Sequence, residues 1–294
     1  MTSPKIPIKP VRMHLLPAKE APICVVMARI VKTQWHILLW DLDAGTLRQG
    51  SWFTGKLLPL DSDVSWDGRH LIYSAAVRNR NSDNAWVGLC ELPWLRTLAH
   101  INDRITDSTD FEDGTGGGVF VGRDVLHWHG RSKQPIEASE DLPYRTEFSG
   151  EIHPWARILE RNGWTFEADS AHRRKMSVKR QAHPRLPLTI EAYPEGRIYQ
   201  RHWEGPAWDP FFEDDLRLEG RPDLFNERTA WATWDSRGDL LWVEEGCLYR
   251  AHAETLLAGG GPFQKFDLNP LKLIPREARK ADPSRIEYLE PSPL

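Results

Sequence analysis

The chain has 294 residues, with 38 Lys and Arg against 42 Asp and Glu and a net charge of -4. That length buries a large core, and the near-even charge removes any overall attraction to nucleic acid or to an anionic membrane. Cys24, Cys90 and Cys247 lie far apart and form no C-x-x-C pair, which excludes a disulfide framework or a zinc ribbon and predicts a reducing cytoplasm.

In residues 1–22, Lys5 and Lys9 are separated by Pro4, Pro7 and Pro10, and no apolar run long enough for a signal or a membrane span follows. An extended arm is expected there, with no export and no membrane. Ile23 to Val31 is apolar and β-branched, the composition of a short buried strand. Trp35 to Asp41, the turn Asp43-Ala44-Gly45 and Thr46 to Trp52 continue it as a hairpin meander. Ser65-Trp66-Asp67-Gly68-Arg69-His70-Leu71-Ile72-Tyr73 then reads strand, Asp/Gly turn, strand, with another strand at Ala85 to Leu92.

Asp107 to Gly114 carries four carboxylates, hard ligands suited to calcium, but their spacing departs from the EF-hand loop. The glycines that follow lack the Lys and Ser/Thr of a phosphate-binding loop. In Val119 to Trp128 the strand-turn-strand outline returns. His127 and His129 flank Trp128, so strand alternation turns both imidazoles to one face, where they could share one divalent metal ion; the other reading is two satisfied surface histidines. Asp124 and His153 are the candidate further ligands. No G-x-S-x-G elbow is present, and Ser149-Gly150-Glu151 with His153 is a poor substitute.

Asn162-Gly163 stands between Ile158-Leu159 and Trp164-Thr165-Phe166 and predicts a type I′ hairpin. Pro184 and Pro187 confine the stretch around them to an edge or a loop. From His172 to Arg185 the chain is basic without an intervening acid, including Arg173, Arg174 and Lys175. Its counterpart interleaves Trp203, Trp208, Phe211 and Phe212 with Glu204, Asp209, Glu213, Asp214 and Asp215. Aromatics rimmed by charge have the composition of binding hot spots, so these segments are the candidate partner surface. They are equally suited to pair with each other, whereas nucleic acid has no stacking platform or reading helix to recommend it.

Thr233-Trp234-Asp235-Ser236-Arg237-Gly238-Asp239-Leu240-Leu241-Trp242 repeats the outline of Ser65 to Tyr73, and Glu195-Gly196-Arg197-Ile198-Tyr199 is a weaker copy. Cys247 to Ala251 follows as a strand behind the turn Glu245-Gly246. The fourteen tryptophans of the chain suit packing between stacked sheets. From Gly259 the chain is proline-rich and loses strand periodicity.

At the two better copies the sequence resembles the WD40-like, TolB-type propeller repeat, with Trp66 and Trp234 where that repeat usually has proline. The resemblance implies an all-β propeller of five or six blades with irregular insertions, and no particular activity. The expected organisation is an arm at residues 1–22, a propeller at 23–258 and a Pro-rich tail at 259–294. The expected function is a non-catalytic scaffold for a protein partner, without a cofactor. The alternative is a metal-dependent hydrolase with His127 and His129 in the axial cavity.

Overall fold

The computed structural model describes residues 10–79, 82–104, 116–129, 136–138, 141–149, 154–166, 178–194, 214–271 and 286–294. Five small sheets stand in a ring as a five-bladed β-propeller. Blade 1 pairs β1 (Arg12–Pro17), β2 (Ile23–Val31), β3 (Gln34–Asp41) and β4 (Thr46–Thr54) antiparallel in chain order. Residues 12–17, expected within the arm, are therefore a strand. In blade 2, β5 (Lys56–Val64), β6 (His70–Asn79), β7 (Ser82–Glu91) and β8 (Thr97–Arg104) are antiparallel, and β11 (Glu137–Ala138) adds to the outer edge.

Blade 3 departs from this plan. β9 (Gly117–Phe120) and β10 (Val125–His129) form a hairpin, but the third strand, β12 (Arg145–Ser149), runs parallel to β10. Blade 4 consists of β13 (Trp164–Phe166), β14 (Lys179–Ala182), β15 (Thr189–Pro194) and β16 (Asp214–Glu219). Blade 5 consists of β17 (Thr229–Trp234), β18 (Leu240–Glu244), β19 (Cys247–Ala251) and β20 (Gln264–Asp267). Two short helices are also described, α1 (Trp155–Arg161) ahead of blade 4 and α2 (Ala253–Leu257) inside blade 5.

The period-2 alternation of a strand decides which blades each sheet meets. On β2, Cys24, Val26 and Ala28 face a core shared with blades 4 and 5, while Val25 and Met27 face blade 2. β6 divides likewise, with Leu71, Tyr73 and Ala75 toward blade 1 and Ile72 toward blade 3. β2 and β6 are thus apolar on both faces, which is why these strands read as nearly continuous hydrophobic runs.

Ring closure between blade 5 and blade 1 uses the far end of the chain. β21 (Tyr288–Leu289) adds to the outer edge of β4, and the Gln49 N–H donates to the Glu287 carbonyl at 2.8 Å. A few residues on, the Ser292 N–H donates to the Lys265 carbonyl at 2.8 Å and the Ser292 hydroxyl accepts from the Asp267 N–H at 3.0 Å. Residues 287–292 therefore tie the outer strands of two blades within the stretch expected as a tail.

Two readings of local sequence change on contact with the structure. Asn162-Gly163 does not join two strands, because Trp155–Arg161 is a helix whose Trp155, Ala156, Ile158 and Leu159 are buried. The pair ends that helix instead, with Gly163 at φ +87° and its N–H on the Glu160 carbonyl, the left-handed C-terminal cap that glycine also serves. The two repeat turns also match two residues out of the expected pairing of Trp66 with Trp234. Ser65 accepts the N–H groups of Arg69 and His70 through its hydroxyl, and Asp235 accepts those of Arg237, Gly238 and Asp239 through one carboxylate oxygen. Ser65 thus corresponds to Asp235 and Gly68 to Gly238. Trp66 belongs to a turn whereas Trp234 closes a buried strand, and the two are not equivalent.

Candidate functional site

Buried charged and aromatic groups, several of them on the inner strands, tie the blades together. Asp63 on β5 is fully buried, accepts N–H groups from Val64 and from Phe120 of β9, each at 2.8 Å, and is ion-paired with Arg161 at the end of α1. The Arg161 guanidinium also reaches the carbonyls of Val64 and Phe120, at 3.4 and 3.3 Å. Burial pushes the Asp63 carboxyl above its ordinary range, opposed first by Arg161 and then by the two N–H donors. One knot therefore joins blade 2, blade 3 and the helix that leads into blade 4.

A second tie seals blade 5 to blade 1. Arg250, buried on β19, pairs with Asp239 at 2.6 Å and Asp235 at 3.4 Å, and donates to the carbonyl of Leu42 in the β3–β4 turn. The indole of Trp231 on β17 stacks on His14 of β1 and on Trp164 of β13, each with centroids 5.3 Å apart. Blades 1, 4 and 5 thus meet through rings from their inner strands. Burial drives the His14 imidazole down to about 3, so it is neutral at neutral pH.

None of Asp63, Arg161, Arg250 and His14 was singled out by sequence reasoning. The available signal was a charged or polar residue inside an apolar strand, as in CLYRA around Arg250 and KLLPLDSDV around Asp63. That pattern says the group is satisfied but not by what.

His127 and His129 lie on one side of β10, as alternation requires, on the middle strand of blade 3. His127 is half-buried, and its Nε2 lies 3.3 Å from the Glu147 carboxylate on β12. Its Nδ1 is buried without a hydrogen-bond partner among the described residues, while His129 is 1% exposed. Asp124 occupies the β9–β10 turn, where its carbonyl accepts the Arg145 N–H at 2.7 Å. Among the described residues no three His, Cys, Asp or Glu side chains gather closely enough to hold a metal ion. His153 and the acidic segment Asp107 to Gly114 lie outside the described residues.

The candidate partner residues Arg173, Arg174, Lys175, Trp203, Trp208, Phe211 and Phe212 also lie outside the described residues. Their flanks are described, and they converge. β13 pairs with β14 through Phe166 opposite Lys179, and β15 with β16 through Pro194 opposite Asp214. Because neighbouring strands are antiparallel, Phe166, Lys179, Pro194 and Asp214 all lie at the same end of blade 4. Four strands at about 4.8 Å spacing place these ends within about 15 Å. The basic and the aromatic-acidic segments are therefore rooted side by side.

The adjoining face of blade 4 carries a charged cluster. Arg180 donates to Glu191 at 2.8 Å, the Tyr193 hydroxyl donates to Glu191 at 2.8 Å, and the Arg217 guanidinium lies 4.7 Å from the centre of the Tyr193 ring. Hydrogen bonds from Arg180 and then Tyr193 hold the Glu191 carboxyl below its ordinary range.

No protein-family model, curated protein or solved structure matches the chain. Among the described residues no helix is long and apolar enough to cross a membrane.

Proposed function

We propose that the chain is a non-catalytic, five-bladed scaffold that recognises a protein partner at one end of blade 4. The observation that carries this reading is the convergence of Phe166, Lys179, Pro194 and Asp214, which roots a basic segment and an aromatic, acidic segment beside each other. Clustered aromatic anchors with charged neighbours supply both desolvated contact area and register at an interface. The ties through Asp63, Arg250 and the His14–Trp231–Trp164 stack support the role of the ring as a stiff mount for that end. Ser65 and Asp235, each capping a turn that leads into an apolar strand, favour a repeat of the WD40-like, TolB-type kind.

A cytoplasmic setting fits the three thiols. All are buried and none is in a disulfide, and burial raises Cys24, Cys90 and Cys247 so that they stay protonated and unreactive.

Affinity purification of the tagged chain from its own host at physiological salt, followed by mass spectrometry, tests the reading against a Phe211→Ala, Phe212→Ala variant. A stoichiometric protein that accompanies the wild type and is lost with the variant is the expected result. Recovery of the same protein with a correctly folded variant removes the assignment to this segment.

A further inference from the structure

Among the described residues blade 3 has three strands where the others have at least four, because β11 is given to the outer edge of blade 2 and β12 returns parallel to β10. Among the described residues β12 is consequently an outermost strand with a single neighbour. Its side chains are exposed or half-exposed from Arg145 to Ser149, with Phe148 36% exposed. The Arg145 N–H is taken by the Asp124 carbonyl on the β10 side. In a parallel ladder both polar groups of one residue face the same way and alternate along the strand, so the backbone of Thr146 and Phe148 faces away from β10. A row of outward N–H and C=O groups is a template for another strand.

The charges on this strand select its occupant. An edge protected against association presents like charges to a second copy, but β12 carries Arg145 and Glu147 two residues apart on one face, 3.3 Å from each other. Antiparallel pairing of two β12 strands about Thr146 sets Arg145 opposite Glu147 of the second copy, and Glu147 opposite Arg145. It also sets the outward backbone of Thr146 against itself, as a hydrogen-bonded pair requires. Centring the pair on Glu147 would instead oppose two carboxylates, which is unfavourable. We propose that two copies of this chain associate through β12, antiparallel and centred on Thr146, joining blade 3 of each into one continuous sheet across a two-fold axis. The contact is isologous and closes, so it makes a dimer and not a fibre. This inference and the proposed partner site on blade 4 rest on different strands, and neither reading depends on the other.

Sedimentation velocity over a concentration series of the full chain tests this. A reversible monomer–dimer equilibrium is expected for the wild type. Arg145→Glu and Glu147→Arg each create two like-charge pairs across the axis and should weaken association about tenfold. The double variant Arg145→Glu, Glu147→Arg restores opposite charges and should recover wild-type association. Thr146→Pro removes the central outward N–H without touching the β10 ladder and should abolish the dimer, with circular dichroism confirming the fold. A strictly monomeric wild type overturns the proposal. So does a dimer indifferent to Thr146→Pro, or a double variant no better than either single one.

Discussion

The seam between blades 5 and 1 and the junction of blades 2 and 3 with α1 solve the same problem by different physics. The first is chiefly apolar: Met13, Leu15, Val26, Leu38 and Trp40 of blade 1 share one buried cluster with Trp231, Leu241, Leu248 and Phe266 of blade 5. The second has an apolar contact between blades 2 and 3, through Ile72, Leu89, Phe120 and Trp128, but reaches α1 through the buried Asp63–Arg161 pair. Apolar area tolerates piecemeal loss because each methylene contributes separately. A buried ion pair does not, since removing one partner strands the other.

The sharpest way to break the comparison is therefore at Asp63. Asp63→Ala leaves Arg161 buried without its counter-ion and should cost about 3–5 kcal/mol, read as a lower urea midpoint. Adding Arg161→Met should recover part of that loss. If the double variant is as unstable as the single one, the cost lies in packing and not in the stranded charge.

Acid attacks the other seam. His14 keeps its neutral form in the fold because burial lowers it to about 3 from an ordinary 6.5, whereas the unfolded chain takes up a proton as pH falls through 6.5. Stability from this group is complete above that pH and is lost toward lower pH at about 1.4 kcal/mol per unit, or about 2 kcal/mol by pH 5. His36, lowered by burial to about 4, adds a parallel loss. Urea midpoints at pH 7.5 and pH 5 should diverge less for His14→Phe, which keeps the stack on Trp231, than for the wild type.

Smaller effects distinguish the turns. Gly238 has φ +94°, and an added Cβ would lie 2.4 Å from the Nε2 of His183, itself bonded to the Gly238 carbonyl. Gly238→Ala should cost about 2 kcal/mol from strain and displacement of that ring. Gly163→Ala meets open space and should cost only about 1 kcal/mol, from backbone conformation alone. Thermal melts that rank these two equally would contradict the role assigned to His183.

Where neighbours in sequence were neighbours in space, the fold was legible. Ile23–Val31 and Cys247–Ala251 appear as strands with the limits read from their hydrophobic runs, and Pro184 and Pro187 fall in the β14–β15 loop. The Asn162-Gly163 pair misled because seven helical residues are too few to show a 3.6 period beside a stronger turn signal. Blade 3 was hardest to read, since no local pattern announces that β12 pairs parallel to a strand beyond β11. The ties were hidden for the same reason: Asp63 and Arg161 are 98 residues apart, and their burial is a property of the ring. Blade 4 yielded the composition of two charged segments, while their common root follows only from strand register.

Closing the ring has a kinetic consequence. The Arg250 bond to Leu42 spans 208 residues, and the Asn269 side chain accepts the Val11 N–H across 258. Hairpins such as β6–β7 and β18–β19 join residues only a few positions apart and form without waiting for distant chain. The entropy of closing so long a loop grows only logarithmically with length, yet it is offset only once blades 1 and 5 are both folded. Until then Trp40 and Trp231 stand at an open flank. The seam that holds the finished ring is thus expected to form last, which would make its flanks the surface most in need of protection from other chains during folding.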